Sequence, residues 1–268
     1  MTTGVLLFAF NTPGIDYVKI AKWNAMNIQR HLNLPVTLIT DSTITDAVFD
    51  QVIYAENKHS SGRKFKNIDR VIRWKNSGRY SAYELTPYDQ TIVLDVDYVV
   101  ASNTLLSLVN DPRPFVCTQQ AIDVSNTTPN LNLFNKYQMP MAWATVMKFT
   151  KSSVAEMIFD VMRMVQHNYS HYALLFGFSS TPYRNDFALS IALSLASGHR
   201  LTREYSAPFH LLNVNPGDAV HWVNTDTYEI QYTRTVNNET KPFKLVVKNQ
   251  DLHVMCKDYL EKIIDSTV

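Results

Sequence analysis

Asp95 and Asp97 stand two residues apart in an otherwise apolar run, TIVLDVDYVV at 91–100. An ionised carboxylate among aliphatic side chains is costly unless a cation or hydrogen-bond donors meet it. On a strand, i and i+2 send both side chains to the same face. The pair therefore reads as two oxygen ligands for a hard divalent cation, Mn²⁺ or Mg²⁺, which leaves other positions for water and phosphate oxygens. The competing reading is a strand that ends in an Asp-rich turn and holds no ion.

Further candidates for chemistry lie downstream. Asn185 and Asp186 stand where the apolar stretch 187–196 begins, and Leu252–Lys257 (LHVMCK) precedes a terminal helix at Asp258–Ile264. Asp186 reads either as a helix N-cap, favoured by its hydrogen-bonding oxygens and the helix dipole, or as a carboxylate facing a substrate. His253 competes with His210 and His221 for any role in a metal site.

The elements that must position these groups alternate along the chain. Gly4–Phe10 reads as a strand, Asp16–Leu32 as an amphipathic helix, Pro35–Ile39 as a strand, then a short helix and the strand Gln51–Tyr54. Short connections between strand and helix argue for right-handed βαβ units and a mostly parallel sheet. Ligands of such sheets sit beyond the carboxyl ends of the strands. Asn11, Thr12, Asp41, Asp95 and Asp97 all lie at those ends.

Between residues 63 and 79 stand seven cations and one acid, Asp69. Read as a helix over Asn67–Leu85, the segment puts Lys75 and Arg79 on the apolar side and Lys66, Arg70 and Arg73 opposite. Further on, residues 123–140 read as a binding loop rich in Asn, Thr and Pro. Met141–Phe149 reads as a strand, and Val154–Gln166 as a helix capped by Ser152 or Ser153. Short strands at Phe209–Val214, Ala219–Val223, Glu229–Thr233 and Phe243–Val247 read as hairpins of a small antiparallel section.

Composition narrows the classes. The 268 residues are 46% hydrophobic and 12% aromatic with net charge +1, enough for a sizeable core and no global case for a polyanion binder. Two cysteines make neither a disulfide framework nor a zinc site, and a reducing cytoplasm fits them. No secretion signal or membrane-spanning run is read, and no P-loop, Gly-x-Ser-x-Gly or dinucleotide fingerprint occurs.

One segment carries a resemblance. GRYSAYELTPYDQTIVLDVDYVV at 78–100 resembles the part of glycogenin-like, A-type glycosyltransferases in which a helix with a basic residue leads through a Leu-Thr-x-Tyr turn into the metal-binding Asp-x-Asp strand. VFDQVIYAE at 48–56 and the opening strand with Asp16 and Tyr17 are similar to that family too, so the likeness covers residues 4–110.

It implies one Rossmann-like α/β domain with a nucleotide-binding half, 1–110, and an acceptor-binding half, 111–268. It further implies that Asn11, Thr12 and Tyr17 hold a nucleotide base, Asp95 the ribose and metal, Asp97 the metal, and Arg79 the diphosphate. His253 would complete the metal shell, Lys257 would touch the leaving phosphate, and Asp186 would orient sugar or acceptor hydroxyls or act as base. The family's small polar Asn-Ser-Gly set is replaced here by Trp143-Ala144-Thr145.

The implied activity is transfer of a sugar from a nucleoside diphosphate sugar, a UDP-sugar foremost, to an acceptor hydroxyl. A nucleotidyltransferase of similar fold and a non-catalytic nucleotide-sugar binder are the alternatives. The chain also looks similar to small glycosyltransferase-like proteins of tailed phages. Some of those modify hydroxymethylated cytosine in DNA, and Lys66, Arg70 and Arg73 would then meet a DNA backbone.

Overall fold

The computed structural model describes residues 1–56, 61–64, 71–76, 78–125, 133–134, 139–178, 182–200, 203–237 and 239–267. The chain opens with β1 (Thr3–Phe8), whose residues from Val5 onward are all buried, and enters α1 (Tyr17–Leu32). The Asp16 carboxylate caps that helix by accepting from the Lys19 backbone N–H at 3.0 Å. Asn33, in the left-handed region at φ 52°, ends it. The buried stripe of α1 includes Ile20, Ala21, Ile28 and also Asn24. Asn24 is there because it clamps a loop: its Nδ2 donates to Tyr98 O at 2.7 Å and its Oδ1 accepts from Val100 N at 3.2 Å.

Next come β2 (Val36–Thr40), β3 (Gln51–Tyr54), the hairpin β4 (Ser61–Lys64) and β5 (Val71–Trp74), a single 3-10 turn at Arg79–Ser81, and α2 (Ala82–Leu85). Two expectations are corrected here. Between Asp41 and Asp50 there is no helix, because Asp46 and Asp50 accept backbone N–H bonds from Val48 and Val36 and hold the segment in turns. A helix over Asn67–Leu85 is not formed either: Val71–Trp74 pairs antiparallel with Ser61–Lys64. Two β-branched residues and a Trp suit a pleated strand, and an apolar run this short does not fix its own period.

β6 (Gln90–Leu94) is fully buried and ends one residue before Asp95. The expected strand 91–100 is thus shorter, since Tyr98 N donates to Asp95 O at 3.0 Å and turns the chain through Asp95–Asp97 into β7 (Tyr98–Val99). After α3 (Leu106–Val109) follow β8 (Phe115–Thr118), β9 (Ala121–Asp123), β10 (Leu133–Phe134), β11 (Met139–Pro140) and β12 (Trp143–Thr150). Ser152 caps α4 (Ser153–His167) by accepting from Ala155 N, and α5 (Tyr169–Leu175) and α6 (Asn185–Ala196) follow. The chain then forms β13 (Leu211–Val214), β14 (Ala219–Asn224), β15 (Thr227–Val236), β16 (Glu239–Lys248), β17 (Leu252–Val254) and α7 (Lys257–Thr267).

Six strands make the central sheet in the order β3-β2-β1-β6-β12-β8. β3, β2, β1 and β6 run parallel, and only β12 opposes the rest. From β1 the chain winds outward through β2 and β3, then returns to place β6 on the other side of β1. That reversal opens a crevice at the carboxyl ends of β1 and β6. Lys148 on β12 is buried, its Nζ donating to Asp111 O and Arg113 O at 2.7 Å each, which ties β12 to the entry of β8; burial pushes its ammonium below the usual lysine range.

A second sheet, β7-β17-β13-β9, lies beyond the crevice. Here a further expectation is corrected. β13 is no hairpin strand: it runs parallel to both β17 and β9, which long-range pairing decided. The other three expected strands form the antiparallel sheet β14-β15-β16. Among the described residues no helix is long and apolar enough to cross a membrane.

Candidate functional site

A cleft of about 160 Å³ occupies the crevice. Phe8, Phe10 and Tyr17 line it from the end of β1 and the start of α1, Asp95–Asp97 from the end of β6, Trp143–Thr145 from the start of β12, and Asp186 from α6. Met255 and Lys257 close it from the C-terminal segment.

Arg79 is the hinge of its electrostatics. Although 2% exposed, it is held by a hydrogen bond to Ala144 O and an ion pair with Asp95. Burial works against ionisation of Asp95, yet the charge and hydrogen bond of Arg79, with His253 and Lys257 farther off, hold its carboxyl down at about 2. Asp97, 6% exposed, is paired with the Lys257 ammonium at the first residue of α7, and His253 Nε2 stands 3.6 Å from its Oδ2. β17 pairs with β7, so the pairing His253↔Tyr98 delivers the imidazole to the Asp turn.

Asp95, Asp97 and His253 offer ligand atoms that all lie within 4.8 Å of one another. The donor set suits a hard divalent ion: two carboxylate oxygens and one imidazole. His253 is also prepared as a ligand, since its Nδ1 faces Asn213 Oδ1 at 2.8 Å. A proton on Nδ1 donated to that amide leaves the Nε2 lone pair turned toward Asp97.

The remaining expected residues are distributed as follows. Tyr17 lines the cleft, and burial, aided by Asp95 and Glu261, pushes its phenol up to about 12. Asn11 and Thr12 are outside the cleft lining; Asn11 Oδ1 accepts from Val18 N at the start of α1, and Thr12 bridges to Ile15. Asp41 is outside it too, but reaches its edge through Lys75, 3.4 Å away. Asp186 does not cap α6, whose N-cap is Arg184. Its Oδ1 accepts from Ala144 N at 2.9 Å and its Oδ2 pairs with Arg184, so it pins the start of β12. His210 and His221 are both exposed, and His221 lies edge-on to Tyr259. Lys66 and Arg70 lie outside the described residues, as do the side chain of Arg73 and most of the 123–140 loop.

Sequence reasoning gave no role to Asn76, Arg184 or Met255, all of which line the cleft, and did not foresee which polar atoms of Trp143 and Arg79 lack partners. Trp143 Nε1, Asn76 Oδ1 and Arg79 Nε are buried polar atoms without a hydrogen-bond partner among the described residues, and all three residues line the cleft. Such orphans are rare in a folded chain and mark a place prepared for a polar ligand. Arg184 stacks over Trp143 at 5.9 Å and Asn185 Nδ2 donates to Asn76 O at 2.6 Å, so one wall is braced. An Asn inside the apolar strand LLNV, at 213, carried the same signal as Asp95.

No protein-family model and no curated protein matches the sequence. In structure the chain is similar to the apo form of the glycosyltransferase GlyE of Streptococcus pneumoniae TIGR4 (TM-score 0.44, 11% identity, covering 81% of this chain and 48% of that one). It thus spans about half of that protein's length. It is similar also to galactosyltransferase LgtC in complex with donor and acceptor sugar analogs (TM-score 0.46, 10% identity, 71% and 70% covered). A third is mouse xyloside xylosyltransferase 1, apo form (TM-score 0.43, 10% identity, 74% and 83% covered).

Proposed function

We propose that this chain is a metal-dependent glycosyltransferase that moves a sugar from a nucleoside diphosphate sugar, a UDP-sugar foremost, to an acceptor hydroxyl. The observation that carries the reading is the grouping of Asp95, Asp97 and His253 with two cations, Arg79 and Lys257, at the switch point of the sheet. Departure of a nucleoside diphosphate concentrates negative charge on its oxygens, and fixed positive charge in a water-poor cleft stabilises that charge most. Mn²⁺ or Mg²⁺ held by Asp95, Asp97 and His253 would supply Lewis-acid stabilisation of the diphosphate.

This chain's own groups do the rest. Arg79, anchored by Asp95 and Ala144 O, presents a preorganised guanidinium whose Nε has no partner among the described residues. Lys257, at a helix start beside Asp97, supplies an ammonium that can turn from carboxylate to phosphate. Trp143 Nε1 as donor and Asn76 Oδ1 as acceptor suit the hydroxyls of a sugar. Phe8, Phe10 and Tyr17 supply an apolar wall for a base. Asp186, with both oxygens engaged, serves as a positioning residue for Ala144 and Arg184 rather than as a proton acceptor.

The acceptor follows from the sequence reading alone. DNA bearing hydroxymethylated cytosine is the proposal, met by Lys66, Arg70 and Arg73, and a base in a duplex would have to be flipped out. A gel shift over a salt series tests it: binding that weakens steeply with salt supports DNA, and no shift at low salt removes it.

The donor is tested by incubating the protein with UDP-, GDP- and CDP-sugars and Mn²⁺ and following free nucleoside diphosphate by mass spectrometry. Release that stops with EDTA is expected. Pyrophosphate from a nucleoside triphosphate would replace this reading by nucleotidyl transfer, and silence with every donor would leave a binding protein.

A further inference from the structure

Behind the wall formed by β11, the start of β12 and α6 lies a second cavity, of about 560 Å³. It falls within the range of small-molecule sites, roughly 300–1,000 Å³. Met139, Ala142, Phe176, Leu193 and Tyr205 give it an apolar body, all of them buried. Two polar features interrupt that lining. Gln119 is 9% exposed, and its Oε1 is buried with no hydrogen-bond partner among the described residues. A buried amide oxygen left unsatisfied is destabilising, and a ligand hydroxyl would relieve it.

The second feature is charge. Arg200 and His199 stand exposed on the cavity lining, and no Asp or Glu is among the described residues that form it. The C-terminus of α6 lies on the same side with opposite polarity, but it amounts to about half a charge. Its last carbonyls are already met by the N–H groups of Ser197, Gly198 and His199. The full charge of Arg200 therefore sets the sign.

We propose that this cavity is a binding site for a small anionic amphiphile: an apolar body in the chamber, a carboxylate at Arg200 and a hydroxyl at Gln119. The site is distinct from the cleft and independent of its reading, yet the two share a wall. Ser190 Oγ, which lines the cavity, accepts from Ala142 N at 2.8 Å and donates to Asp186 O at 2.7 Å.

Titration calorimetry of the full chain with ω-hydroxydodecanoate, dodecanoate and dodecanediol tests this. The hydroxy acid is expected to bind saturably and about tenfold more tightly than either probe lacking one group, the factor one net hydrogen bond contributes. Arg200→Ala, at an exposed position, should erase the advantage over the diol, and Gln119→Leu the advantage over dodecanoate. UDP with Mn²⁺ should leave the probe's affinity unchanged. Absence of saturable binding, wild-type affinities in both variants, or displacement of the probe by UDP and Mn²⁺ would each overturn the proposal.

Discussion

Two carboxylates in an aliphatic run are an unstable arrangement on their own, and each has been given a cation: Asp95 has Arg79 and Asp97 has Lys257. Such pairing means that loss of one partner exposes the other, so single substitutions here should act strongly. Asp97→Asn removes a charged ligand oxygen and also the carboxylate that pairs with Lys257. Mn²⁺ affinity, read by electron paramagnetic resonance titration, should fall by more than about 100-fold, the upper end of what losing an outer partner costs. Asn213→Leu leaves all three ligand residues in place but frees His253 Nδ1. A loss of about 10–100-fold in Mn²⁺ affinity is expected, and unchanged affinity would show that the Asn213 contact does not prepare His253 as a ligand.

At the scale of elements, the site depends on how closely β1 approaches its neighbours. Gly4 on β1 has the Tyr88 ring where a Cβ would stand, and the Tyr88 hydroxyl bonds Thr37 Oγ1 on β2 at 2.8 Å. Gly4→Ala should push that ring away and destabilise the chain by about 1–3 kcal/mol, measured as a shift in urea midpoint. The elements were unequally legible. α1 and its ends were plain because Asp16 and Asn33 mark them and the apolar stripe repeats over four turns. Val71–Trp74, expected within a helix over Asn67–Leu85, is instead a hairpin strand paired with Ser61–Lys64, because so short a stretch fits either period and only the partner strand chooses. β13 was assigned to the wrong sheet for the same reason.

The whole molecule has its own pH signature. Asp218 is buried beside Asp123, Asn215 and Ser125; burial first, then the neighbouring Asp123, raises its carboxyl from 3.8 to about 6. The folded state therefore keeps a proton that the unfolded chain has released between those values. Stability should fall as pH rises through that window, by about 3 kcal/mol for two units, and level off above it. Urea midpoints across the window should show that slope for the native chain and a shallower one in Asp218→Asn, where buried Asp251, also raised by burial, still contributes.

Ligand linkage gives a second whole-molecule test. UDP with Mn²⁺ at a hundred times its dissociation constant should add about 2.7 kcal/mol of stability, visible as a raised Tm that EDTA abolishes. An unchanged Tm would count against the cleft as a nucleotide site.

The sequence by itself determined the alternation that builds a parallel sheet and the place of Asp95 and Asp97 at the carboxyl end of a buried strand, because propensity, periodicity and the cost of burying charge act along the chain; the candidacy of His253 and Lys257 came from the family resemblance. Only the tertiary structure decided that Asp186 braces β12 instead of capping α6, that Asn213 faces His253, and that Trp143 and Asn76 point unpaired atoms into one cleft. Those relations join residues between roughly forty and more than a hundred positions apart, and no local pattern records which distant strand or helix will arrive beside a given side chain.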